Sequence, residues 1–295
     1  MEKKNPIPEI DASTEMAATT NGHFQYICQI IRAWKNHIGF KMGGLLIDTL
    51  VNNFFVKNSH YEVVDFEDYL TLLKDLFEEW KSLDKERKYW YALGSNQHVY
   101  NKDSTFISKA EKAYNKIINL NEESEDLYVI LQELFGTEFP VPEEVQKTNS
   151  FRFARTDIAD GEQFIEQMFP VDIKYRLEID CEVSMNGFRE TLLRKLLKNH
   201  GFLLPNKRLK FFILHNELAE IDLHYQIYWK VRNQGQEAMK RNQLRGKIVE
   251  GKTEHIERTS FKGGHYVECY VIQMGTCVAR SSIKVPINYR DYLAG

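Results

Sequence analysis

The chain has 295 residues, 43% hydrophobic and 27% charged, with a formal net charge of −3; these proportions suit one large or two modest globular domains and exclude collagen, extended disorder and coiled coil. No run approaches ~20 consecutive apolar residues, which excludes a membrane-spanning helix, and residues 1–6 lead into no apolar signal core. The four cysteines (Cys28, Cys181, Cys269, Cys277) are scattered, without CxxC or zinc-spaced histidine pairs, so the expected setting is a reduced cytoplasm with neither disulfides nor structural zinc.

The first half reads helical. Phe24, Ile27, Ile31, Trp34 and Ile38 recur at helical spacing, with Asn21 as N-cap and Gly39 as stop. Gly43-Gly44 opens a second helix through Leu50 to Phe54-Phe55. A third runs over 65–83 on Phe66, Tyr69, Leu70, Leu73, Phe77 and Trp80. Asp103-Ser104 cap a helix over 105–120, and 126–135 makes a short last one. Gly94-Ser95-Asn96 and 136–142 are loops.

Residues 146–163 lack a clear period and read as a linker between a helical module (1–145) and a second module (164–295). Charge divides similarly: 1–150 holds 16 Lys+Arg against 24 Asp+Glu, and 151–295 holds 23 against 18. That excess falls short of a duplex-binding surface, so no sequence-specific DNA binding is expected. Tyr175, Leu177, Ile179, Cys181 and Val183 alternate as a strand, leaving Glu178, Asp180 and Glu182 on a solvent face. One helix follows over 188–200, burying Leu192, Leu193, Leu196 and Leu197. Strands then fall at 211–214, 225–232, 246–249, 266–273, 277–279 and 283–287, separated by glycine turns. The fold class is α+β: helices, then an antiparallel β-sandwich carrying one helix.

Chemistry-bearing patterns are sparse. Gly94-Ser95 invites comparison with the phosphate-binding turn of polymerase-β-like nucleotidyltransferases, which also need paired acids for two Mg²⁺ ions. Glu123-x-Glu125, Glu178-x-Asp180 and Asp180-x-Glu182 are the acid pairs downstream, and all fit solvated surfaces better, so Gly94-Ser95 reads as a plain turn. No nucleophile elbow, P-loop or GxGxxG occurs. Arg32 and Lys35, three apart on the first helix, either reach nucleotide phosphates or flank Trp34 as surface charges. In the second half, Trp229 to Gly235 and Leu244-Arg245-Gly246 read as strand ends and turns. The functional alternative is a pocket in which Trp229 or Tyr270 stacks on a base and Arg232 or Arg245 grips phosphate; His265, before Tyr266, reads as a strand-edge imidazole, and with Asn233 it completes the candidate sensor pocket.

Several runs together resemble a known family. Residues 5–12, Ile30 to Asn36, Gly43 to Leu50 and Tyr89 to Tyr100 resemble the helical half of bacterial cGAS/DncV-like nucleotidyltransferases, also called CD-NTases or SMODS enzymes. Phe169 to Ile173, Asn186 to Arg189, Tyr228 to Asn233, Leu244 to Gly246 and Gly264 to Tyr270 resemble the AGS-C sensor domain. The resemblance implies a role in anti-phage (CBASS) signalling, in which full-length members make cyclic or linear oligonucleotide messengers and the AGS-C module senses a nucleotide-like ligand or cue. It matches Arg32 and Lys35 to nucleotide-contacting positions. The family's catalytic core precedes the Asn-Pro motif, which here begins at residue 5. The chain as it stands is therefore expected to lack the core, to hold no cofactor of its own, and to be silent alone, Mg²⁺ belonging to the core in cis or trans. Half of a split nucleotidyltransferase and a protein-interaction module are the alternatives.

Overall fold

The computed structural model of the chain describes residues 6–101, 104–136, 139–142, 161–184, 190–221, 224–233 and 236–288. It divides into two compact units, Met1–Pro142 and Glu143–Gly295.

In the first unit, the helical period produces α1 (Ile7–Thr19), α2 (His23–Ile38), α3 (Gly44–Lys57) and α4 (Tyr69–Lys81), then α5 (Thr105–Ile117) and α6 (Leu127–Phe135). Gly39 ends α2 in the left-handed region, as its position predicts, while the N-cap is Gly22 rather than Asn21. Trp34 centres the core, its ring 4.7 Å from Phe40 and 4.9 Å from Phe77. The module is not wholly helical: β1 (Tyr89–Tyr91) and β2 (His98–Tyr100) pair as an antiparallel hairpin. Helix α1, to which periodicity assigns no element, starts behind Pro6, where a proline's missing N–H costs nothing. Gly94-Ser95 is the hairpin turn. Its tip lies so close to α1 that a Cβ on Gly94 would fall 2.1 Å from the Pro8 carbonyl oxygen, and Ser95 Oγ donates to Glu9 Oε1 at 2.6 Å.

The second unit stacks two four-stranded antiparallel sheets. One contains β3 (Leu177–Ser184), β4 (Thr191–Leu192), β5 (Arg208–Asn216) and β8 (Glu254–Arg258), in the order β4-β3-β5-β8. The other contains β6 (Gln226–Asn233), β7 (Arg245–Gly251), β9 (Gly263–Gln273) and β10 (Thr276–Ile287), in the order β10-β9-β6-β7. Ile179, Cys181 and Phe211 from one sheet meet Trp229, Cys269 and Val271 from the other in a shared apolar core. Instead of one helix, the described residues of this unit hold three short ones: α7 (Ile165–Met168), α8 (Leu193–His200) and α9 (Gln236–Lys240). Of the four leucines expected to be buried in the 188–200 helix, only Leu193 is; Leu192 is exposed. Residues 188–189 and most of the expected linker, 146–160, lie outside the described residues, as do Asn186 and Gly187. The end of that linker belongs to the sandwich, since Gln163 N–H donates to the Gly246 carbonyl at 3.1 Å. Asp180 also departs from expectation. It is buried, with Oδ1 accepting from the Cys181 N–H at 2.8 Å and Oδ2 3.5 Å from Arg194 Nε.

Two glycines of the first unit separate strain from collision. Gly22 (φ +88°) has only an ordinary 3.5 Å contact at its Cβ position, whereas Gly94 (φ +74°) has backbone there. Gly22→Ala is expected to cost about 1 kcal/mol. Gly94→Ala is expected to cost clearly more and to expose α1 to protease. Equal losses in urea unfolding, with α1 still protected, would contradict this packing.

Candidate ligand site

Strand β6 supplies residues to two chemically different surfaces. Successive strand side chains point to opposite faces, so Trp229, Val231 and Asn233 share the face of their β9 partners Cys269, Val267 and His265, towards the other sheet. Tyr228, Lys230 and Arg232 share the outer face with Tyr270, Glu268 and Tyr266.

On the inner side, Arg245 dominates. The β6–β7 register shifts between Lys230 and Arg232, and there Arg245 adopts φ +64° beside Gly246 at φ +118°. A bulge re-aims the side chain it carries, and left-handed backbone at a non-glycine residue costs energy that local contacts must hold in place. The contact is a fork: Arg245 Nη1 and Nη2 donate to Glu257 Oε2 and Oε1 at 2.7 and 2.9 Å. Since β7 and β8 belong to different sheets, this pair clasps the sandwich along one edge. Glu257 Oε1 also lies 2.8 Å from His255 Nε2. Burial opposes ionisation of Glu257, yet the His255 and Arg245 hydrogen bonds, with the Arg245 charge, hold its pKa down at about 2.

Two cavities meet at Arg245 and Val231. The larger, about 540 Å³, is walled by Trp229, Leu244, Val249 and His255, with Lys247 and Asn242 as polar groups. The smaller, about 310 Å³, opens between the sheets over Phe211, Val267 and Ile287, with Asn233, Thr259 and His265 as polar groups. Both fall in or near the range of small-molecule sites. Trp229 is fully buried and its face is taken by His255, stacked at 5.7 Å, while its Nε1–H donates to the Lys252 carbonyl. It is a wall rather than an open stacking platform. His265 Nδ1 donates to Asn233 Oδ1 at 2.7 Å, and Asn233 Nδ2 donates to the Gln243 carbonyl at 2.7 Å. Burial pushes the His265 pKa below its ordinary value. A hydrogen bond to the Phe261 backbone opposes that shift, and Nε2 is buried without a hydrogen-bond partner of its own.

The outer side is closed by residues 161–173, a strap running over the sheet. The Glu162 side chain is 3% exposed, with Oε1 2.8 Å from Lys230 Nζ and Oε2 2.8 Å from Arg232 Nε. Arg232 also donates to the Asn233 and Leu244 carbonyls. Arg280 reaches Glu166 at 2.7 Å and Glu268 at 3.1 Å. Tyr270, 1% exposed, packs with Ile165, Ile173 and Ile272 beneath the strap.

The six residues expected in one pocket therefore divide. Trp229, Asn233, Arg245 and His265 surround the inner cavities, and Arg232 and Tyr270 lie on the opposite face of the sheet. Glu257 and Glu162 were not singled out from sequence, because an isolated glutamate carries no sign of a partner 12 or 70 residues away. In the first unit, Arg32 is half-exposed and donates to Asp48 Oδ1 at 2.6 Å and to the Cys28 carbonyl at 3.1 Å. Lys35 is 6% exposed, so it is no surface charge. The cysteines are unpaired and buried, and burial raises their thiol pKa values, to about 12 for Cys181 and Cys277. Among the described residues no group of three or more His, Cys, Asp or Glu side chains is placed to hold a metal ion, and the two-metal set that the resemblance implies has no donors there to fit it.

Residues 159–288 match the family model described as the adenylyl/guanylyl and SMODS C-terminal sensor domain. The match spans the strap and both sheets, and so includes all six pocket residues expected from sequence. No curated protein matches the chain. No helix among the described residues is long and apolar enough to cross a membrane.

The clasp gives a pH signature. Because the folded pKa of Glu257 lies below its ordinary 4.5, its stabilising contribution is fully present above that value and disappears as pH falls towards 2. The stability gap between wild type and Glu257→Gln, measured by urea unfolding, is expected to be constant near neutrality and to close towards pH 2. A gap independent of pH would contradict the ionised clasp.

Proposed function

We propose that the second unit is the sensor module of a CD-NTase/SMODS-type messenger-synthesising system and that it binds a nucleotide-like ligand between its sheets. The observation that carries this reading is Arg245, held in strained backbone at the meeting point of two cavities within a region that matches the AGS-C sensor model. A guanidinium that already donates a fork of hydrogen bonds to a carboxylate has the geometry to donate to a phosphate instead. A ligand phosphate would compete with Glu257 for Arg245, while a ribose hydroxyl or exocyclic amine would satisfy His265 Nε2. Release of Glu257 loosens the clasp between the sheets, which converts occupancy into a change of shape.

The wider setting follows from the resemblance: an infection cue sensed here would govern oligonucleotide synthesis in anti-phage defence, in the cytoplasm. In the first unit, Arg32 is the proposed nucleotide-facing cation, and it would have to exchange Asp48 for phosphate. Lys35, buried in α2, would act by positioning that helix.

Thermal unfolding of the full chain with nucleoside triphosphates and short oligonucleotides tests the reading. A ligand at 100 times its Kd is expected to stabilise the fold by about 2.7 kcal/mol, and Arg245→Gln is expected to abolish that shift. No shift with any nucleotide would favour a protein partner, and an undiminished shift in Arg245→Gln would remove the cleft from consideration.

A further inference from the structure

The outer face of the second sheet holds more positive charge than it can balance. Lys230 and Arg232 on β6 and Arg280 on β10 lie beneath the strap with exposures of 2%, 2% and 8%. Of the sheet's own carboxylates, Glu268 is the one that reaches them, 3.8 Å from Lys230 Nζ and 3.1 Å from Arg280 Nη2. Burial opposes its ionisation, but Arg280 and Lys230 outweigh that and hold its pKa below the ordinary value. Three cations against one carboxylate leave a formal excess of two positive charges. The strap supplies the two missing negative charges, with Glu162 on Lys230 and Arg232 and Glu166 on Arg280.

The strap thus behaves as a ligand that is part of the chain. The two oxygens of Glu162 sit on an ammonium and a guanidinium at 2.8 Å each, the arrangement those donors also offer to phosphate. Beside Glu162 the strap is secured by Gln163, whose N–H donates to the Gly246 carbonyl and whose Oε1 accepts from the Ile248 N–H at 2.8 Å. Lys284, opposite Tyr266 in the β9–β10 register, continues the cationic face to the solvent-exposed rim. Buried cations stripped of partners are strongly disfavoured, so the strap can leave readily only when another anion replaces its carboxylates.

We propose that Lys230, Arg232 and Arg280 form a polyphosphate-binding site that the strap's Glu162 and Glu166 occupy in this structure, so that strap and polyphosphate compete. The site lies on the face opposite the Arg245 cleft and does not depend on it. Its ligand chemistry is a chain of phosphates, whether free or carried by a nucleotide.

Hydrogen exchange on the full chain, read by mass spectrometry, tests this with tripolyphosphate, ATP and adenosine as probes. Tripolyphosphate at millimolar concentration is expected to accelerate exchange in residues 161–169 while β6 stays protected. ATP doing the same shows that a nucleotide can carry the group, ATP without effect restricts the site to free polyphosphate, and adenosine is expected to do nothing. Calorimetry is expected to show the doubly substituted Glu162→Gln, Glu166→Gln chain binding tripolyphosphate about tenfold more tightly than wild type, or better. Arg245→Gln is expected to keep both responses. Unchanged strap exchange with tripolyphosphate, or no gain in affinity in the double variant, overturns the proposal. Should the double variant fail to fold by circular dichroism, the wild-type exchange result decides. Strap exchange unchanged by tripolyphosphate as well as by ATP, with ATP binding that is lost in Arg245→Gln, would overturn this site while leaving the cleft reading intact.

Discussion

The alternation of strand β6 is the constraint on which the second unit depends. Within eight residues it sends Trp229, Val231 and Asn233 into the space between the sheets and Lys230 and Arg232 to the outer face. A one-residue slip would exchange these sets, putting a lysine and an arginine into the apolar core and a tryptophan beneath the strap. The ionic strap and the apolar core therefore fix the same register from opposite sides. Burying a charge without its partner is among the costliest errors a fold can make, and here two buried cations on one strand meet both oxygens of a single carboxylate.

The two surfaces converge on residues 244–246. The Leu244 carbonyl accepts from the Asn233 N–H and from the Arg232 guanidinium, at 2.9 and 3.1 Å. The Arg245 side chain crosses to Glu257 on the other sheet, and the Gly246 carbonyl accepts from strap residue Gln163. Gly246 has to be glycine, because at φ +118° a Cβ would meet Glu162 Cγ at 2.8 Å. The inner clasp and the outer strap are thus attached to neighbouring residues of one strained bulge. The two share this stretch of backbone, while their side-chain partners, Glu257 for Arg245 and Glu162 for Lys230 and Arg232, lie on opposite faces of the sheet.

Much of the fold was legible because burial imposes a period. The stripe Phe24, Ile27, Ile31 and Trp34 is the buried face of α2, and the alternation Leu177, Ile179, Cys181 and Val183 is the inner face of β3. Legibility failed where another force prevailed. Helix α1 buries no residue fully, so it has no stripe to read. Strand β8, Glu254-His255-Ile256-Glu257-Arg258, has too few apolar residues to signal a strand and is held by pairing with β5 and by the Arg245 fork. Asp180 was assigned to solvent by alternation, yet the Cys181 N–H and Arg194 draw it inside. At the site, residue type marked Arg232 and Arg245 as able to grip phosphate, and Asn233 and His265 lie in the runs that resemble the sensor domain. Residue type gave no account of the acids that hold them, since Glu162 and Glu257 reach their partners only through the packing of distant strands.

The most direct test of the sensor reading is a crystal structure of the full chain with a bound nucleoside triphosphate. The account predicts phosphate oxygens on Arg245, its fork to Glu257 opened, and ligand density between the two sheets close to His265 Nε2. A nucleotide bound elsewhere, with the Arg245–Glu257 fork intact and the inter-sheet cavities unchanged, would contradict it.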